Sequence, residues 1–207
     1  MQVAMLNSVK TITKTEASNA ARDYVKATLG NSFDVARPQF FEEDHSWSFF
    51  IEQRFSDLDT PVTTGRIWID AEMGKVTPLT DDAIWDVQQC ALVRAEHKRG
   101  NRIARGADGL VLPYQAKIKV NAYMSNVVNF FFEAKGQPSL IQGRPPFWRV
   151  TTALRLPDDG KIADFGTVDV NAISGSVVAL TEEEIKARQE KSKHAAQCAK
   201  CATTSAG

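Results

Sequence analysis

Near the end of the chain, Cys198-Ala199-Lys200-Cys201 places two thiols two residues apart, with His194 four residues before the first. That spacing suits a dithiol–disulfide couple, or half of a tetrahedral zinc site to which His194 adds a third donor. Either chemistry needs more than the motif supplies. A redox pair works at a helix N-terminus beside a folded body, whereas this one closes a charged stretch and runs into Ala202-Thr203-Thr204-Ser205-Ala206-Gly207. Zinc needs further ligands, and the remaining cysteine, Cys90, is remote in sequence. The competing reading is a flexible tail over 191–207. Three cysteines are also too few for a disulfide scaffold, and the odd number leaves one thiol unpaired.

The other reactive side chains form no recognised constellation. His45 follows Glu42-Glu43-Asp44, where carboxylates could orient an imidazole or hold a cation; the same run suits a polar hairpin loop. His97, between Glu96 and Lys98, reads as helix surface. The densest basic run is Arg94, Lys98, Arg99, Arg102 and Arg105, broken by Glu96 and followed by Asp108. Without interleaved aromatics it reads as a solvated helix end and linker rather than a phosphate track. No G-x-S-x-G elbow, P-loop or dinucleotide fingerprint occurs, so no catalytic residue and no cofactor is expected.

Hydrophobic residues make up 43% of the 207, enough for a packed core. Basic and acidic side chains balance at 25 each, which argues against whole-surface attraction to nucleic acid or anionic lipid. The opening MQVAMLNSVKTITKTEAS has no continuous apolar run of leader type, and nothing approaches the roughly 18 apolar residues of a membrane span. A cytoplasmic protein is the expectation.

What must position these groups is a duplicated scaffold. A shift of 101 residues matches Trp47 with Trp148, Arg54 with Arg155, Asp57 with Asp158, Gly65 with Gly166 and Ala71 with Ala172. It continues through Gly74/Gly175, Val76/Val177, Leu79/Leu180, Thr80/Thr181 and Ile84/Ile185, ten identities in the 38 ungapped positions from 47 to 84. Chance explains this poorly, and a repeated module explains it well. Arg66-Ile67-Trp68-Ile69-Asp70 and Thr167-Val168-Asp169-Val170-Asn171 alternate as half-buried strands. A turn with Asp70 or Asn171 and Gly74 or Gly175 follows, then return strands at 75–79 and 176–180. Thr80 and Thr181 open helices, the second with a Thr181…Glu184 capping box.

The earlier parts of the two modules diverge. Thr13…Glu16 opens a helix with Ala17, Ala20, Ala21, Tyr24, Val25 and Thr28 on one face, ending near Gly30. Strands follow at 34–41 and 47–55. In the second half, 120–134 is the expected helix, closed by Gly136, and 147–156 the expected strand. The fold class is thus α+β: two tandem small modules, each an antiparallel sheet packed against a helix. The first, with its trailing helix, takes 1–99; the glycine-rich 100–113 is the linker; the second takes 114–190.

This order of helix, tryptophan strand and final hairpin, carried by GRIWIDAEMGKVTPLT and GTVDVNAISGSVVALT, resembles PepSY and PepSY-like domains, a small cystatin-like family. The resemblance spans 13–84 and 117–185. It implies a non-enzymatic protein, of a kind often secreted or membrane-associated and in some cases linked with protease inhibition. No catalytic residue of the family carries over.

Trp47 and Trp148 read as equivalent core positions. Trp68 has no counterpart, because Asp169 stands in its place, and it faces away from Ile67 and Ile69. The leading expectation is therefore a structural or protein-interaction role, with Trp68, Arg54 and Arg155 as contact residues and an unknown protein or a second copy as partner. One alternative is a ligand-binding or enzymatic cystatin-like protein in which His45, Arg54 and Arg155 converge. The other is a metal- or redox-dependent factor using Cys198, Cys201 and His194.

Overall fold

The computed structural model describes residues 11–128, 132–155 and 162–204; the side chains of 155, 162–164 and 194–204 lie outside that description. Two compact units divide the chain, Met1–Arg99 and Gly100–Gly207. The first contains α1 (Lys14–Leu29), β1 (Phe33–Phe41), β2 (Ser46–Gln53), β3 (Val62–Asp70) and α2 (Asp81–Lys98). The second repeats the order with α3 (Pro113–Val127), β4 (Phe132–Ile141), β5 (Phe147–Arg155), β6 (Ile162–Asn171) and α4 (Glu182–Thr204). Each sheet is antiparallel, in the order β1-β2-β3 or β4-β5-β6.

Local chemistry starts and stops the helices. Thr13 and Glu16 close a capping box on α1, and Gly30 ends it at φ 103°. Ala17, Ala21, Val25 and Leu29, four residues apart, form its buried stripe. They meet Phe33, Phe49, Ile51, Ile67 and Ile69, and α2 adds Val87 and Ala91 to the same cluster. Both helices therefore cover one face of the first sheet. A helix of this length is marginal alone; burying each large apolar side chain, at about 1.5–3 kcal/mol, holds it in place. The second unit repeats the arrangement with Ala116, Val120 and Met124 against Phe132, Val150, Leu154, Val168 and Val170.

Two expectations need correction. The helix expected over 120–134 starts seven residues earlier, with Pro113 in its first turn, and Gly136 lies instead in a β4 bulge at φ 64°. The return strands make a single bridge each, Ile69 to Val76 and Val170 to Val177. Beyond that bridge the chain leaves the sheet, because the Leu79 and Leu180 amides donate to Tyr24 and Tyr123 hydroxyls, both at 2.8 Å. The glycine-rich stretch before Pro113 is itself packed: Ala104 and Val111 are fully buried, and Val111 N–H donates to Ala172 C=O. α4 runs from Glu182 to Thr204.

The divergent first parts align once the shift is reduced to 99 residues. Ile12, Ala17, Ala21, Tyr24 and Val25 then correspond to Val111, Ala116, Val120, Tyr123 and Met124. Arg37, at φ 49°, corresponds to Gly136. The longer bulge of β4 and a longer turn before β5 restore the shift to 101 by Trp148. The tyrosines are thus a repeated brace: each hydroxyl satisfies a half-buried amide where the sheet stops. Tyr24→Phe and Tyr123→Phe are each expected to lower stability by about 1 kcal/mol, read from urea unfolding, because the partner amide loses its acceptor.

Candidate functional site

Alternation along β2 and β3 sends Phe49, Ile51, Ile67 and Ile69 into the core and Phe50, Arg66 and Trp68 outward. On that outer face the Arg37 and Arg66 guanidinium carbons lie 4.5 and 4.3 Å from the Phe50 ring centre. Trp68 packs against Phe41 with ring centres 5.0 Å apart and is half-buried. Arg37 also donates to Glu52 Oε1 at 2.7 Å and Thr63 Oγ1 at 2.5 Å. Its left-handed backbone costs a side-chain-bearing residue about 1–2 kcal/mol, a cost that Gly136 avoids in the second module.

The matching face of the second sheet has different chemistry. Asp169 replaces Trp68 and makes a two-bond ion pair with Arg149, at 2.9 and 2.8 Å. That carboxylate raises the Arg149 pKa above its ordinary value. Thr151 and Thr167 stand where Phe50 and Arg66 stand in the first sheet. The β1 and β4 edges carry a bulge beside Pro38 and Pro138, which disfavours addition of a further strand there.

The structure separates the other residues singled out in the sequence. His45 is exposed in the turn before β2 with φ 45°, and its carbonyl accepts from the Ala71 amide. Arg54 is exposed past the opposite end of β2, on the order of 30 Å away at strand rise, so the two do not converge. The side chains of Arg155, His194, Cys198 and Cys201 lie outside the described residues. Cys90 is a buried thiol in α2. The basic run braces its own modules: Arg94 donates to Thr63 C=O, Lys98 to Thr60 and Pro61, Arg99 to Asp57 and Glu96, and Arg105 to Gly109 and Ile173. Among the described residues, no group of three or more His, Cys, Asp or Glu could hold a metal ion, and no helix is long and apolar enough to cross a membrane.

Sequence reasoning passed over a polar corner of the second core. Arg188, 9% exposed, donates to Thr152 Oγ1 at 3.1 Å and Thr167 C=O at 3.0 Å, and touches Met124 Sδ at 3.9 Å. Burial pulls its pKa below the ordinary guanidinium value. A shift of 101 places Arg188 on Val87 and Thr152 on Ile51, both apolar and buried in the first module. That paired mismatch was visible in the repeat alignment, but only beyond the identities that define it.

Comparison with models of known protein families, with curated proteins and with solved structures finds no match.

Rebuilding the apolar corner tests what the polar one does for stability. Thr152→Ile with Arg188→Val is expected to be neutral or stabilising by about 1–4 kcal/mol in urea unfolding. Thr152→Ile alone removes an acceptor from the buried guanidinium, with an expected loss of about 1–3 kcal/mol.

Proposed function

We propose that this chain is a non-catalytic protein-binding molecule whose first module receives an acidic partner segment on the outer face of its sheet. The observation that carries this reading is the backbone of Arg37: a left-handed conformation is kept where glycine would relieve it, and the side chain lies against Phe50 beside Arg66. Arg37 is also tied to Glu52 and Thr63, and the corresponding position in the longer bulge of the second module is Gly136, with no side chain to present. Two cations around an aromatic ring, next to the Trp68–Phe41 pair, form a contact patch of apolar anchor and basic rim. A carboxylate-bearing segment complements that rim. The same reading takes each module as a PepSY-like unit working as a binding domain.

A peptide library selected on the full chain is expected to return sequences that combine acidic residues with a large apolar one. Trp68→Ala should weaken their binding by at least about 30-fold, the loss typical of an aromatic anchor. Arg66→Glu should weaken it as well, and added salt should weaken it in proportion to the peptide's charge. Selected peptides without acidic bias, or bound equally by Trp68→Ala, would remove this face from consideration.

A further inference from the structure

The polar corner of the second module opens on a surface cleft of about 220 Å³ lined by Phe165, Gly166, Glu184, Ala187, Arg188 and Lys191. Among the described residues, no carboxylate lies within ion-pair distance of Arg188. The Glu184 carboxylate, one turn away, is held by the Thr181 amide at 2.8 Å and the Thr181 hydroxyl at 3.0 Å as the cap of α4. Thr152, Thr167 and Met124 take two hydrogens on Nη1 and one on Nη2 of Arg188. Among the described residues Nε–H has no acceptor and Nη2 carries a second hydrogen besides the one Thr167 takes; Nε and Nη2 form the guanidinium edge that can bind an oxyanion side-on.

This corner is a coordinated departure from the first module. Ile51, Val87 and Gly65 pack as an apolar trio, with the Cβ position on Gly65 only 2.9 Å from Val87 Cγ2. Their counterparts are Thr152, Arg188 and Gly166, and a Cβ on Gly166 would stand 3.2 Å from Arg188 Nη2. Gly166, at φ 84°, gives the guanidinium its place against the sheet. Among the described residues the nearest negative charge is Glu184, which acts on Arg188 only at a distance; burying the guanidinium without a paired carboxylate is costly, and an apolar trio fills the same space in the first module.

We propose that this corner binds the oxyanion head, carboxylate or phosphate, of a small molecule, with Arg188 as the buried anchor and Lys191 as the second cation. Phe165 and Ala187 line the cleft for an apolar part of that molecule. The cleft volume suits a head group or a small acid rather than a large cofactor. This site belongs to the second module and is independent of the face proposed for protein binding.

The test is titration of the full chain with inorganic phosphate and, separately, with benzoate at constant ionic strength. Binding is read from the Arg188 Nε–H resonance by NMR, with chloride as the control. Saturation by one or both probes is expected, phosphate alone indicating a phosphate head and benzoate alone a carboxylate on an apolar body. Lys191→Gln should weaken binding about threefold, as for a partly exposed charge. Arg188→Met should abolish it in a protein that still folds by near-ultraviolet circular dichroism; for this variant, binding is read from the Gly166 amide. No saturation with either probe, or saturation unchanged in Arg188→Met, overturns the proposal. Should Arg188→Met fail to fold, Lys191→Gln decides, since saturation unaffected by that change also overturns it.

Discussion

The indole N–H of Trp148 donates to Val111 C=O at 2.7 Å, and that of Trp47 to Ile12 C=O at 3.4 Å. Ile12 and Val111 in turn donate their amides to the carbonyls of Ala71 and Ala172, at 2.7 and 2.8 Å. The Ala71 and Ala172 amides donate to the carbonyls of His45 and Pro146, both at 2.9 Å. Each clamp joins three separate places: the chain entering the first helix, the end of the third strand, and the turn before the tryptophan strand. Without it, the helix would enter over the sheet with no fixed register, and amides at a buried junction would lack acceptors. Ala71 and Ala172 are fully buried at that junction, where a larger side chain would have no room.

Because the clamp, the tyrosine brace and the apolar stripe recur in both modules, they account for the fold and leave the unmatched residues to be explained. Two places stand out. On the first module, aromatics and arginines gather on the outer sheet face, whereas the second neutralises that face with Arg149 and Asp169. In the second module, the inner corner becomes polar around Arg188, whereas the first keeps it apolar around Val87. The two copies thus differ on opposite sides of their sheets. Each change uses a position that the clamp does not need.

Much of the scaffold was legible in the residues. Strands β3, β5 and β6 follow from period-2 alternation, β1 and β2 from the runs at 34–41 and 47–55, and α1 from its capping box and i, i+4 stripe. The Asp70 and Asn171 turns behave as their types require, each side-chain oxygen accepting two amides of its own turn. The misreading of α3 has a physical origin. Its N-cap, Leu112, offers no side-chain acceptor, and its match to α1 appears at a shift of 99 rather than 101. Trp68 could be assigned to the outer face from alternation alone, but its packing on Phe41 depends on the β1 bulge, which sequence spacing does not reveal. Arg188 was hidden because a charged residue in a charged helix reads as surface until the sheet beneath it is placed.

The central claim is that both modules close on the same tryptophan clamp, and indole hydrogen exchange tests it directly. The Trp47 and Trp148 indole protons, each donated to a backbone carbonyl, are expected to exchange more slowly than that of Trp68, which has no such acceptor among the described residues. Trp47 and Trp148 indoles exchanging as fast as Trp68 would contradict the account.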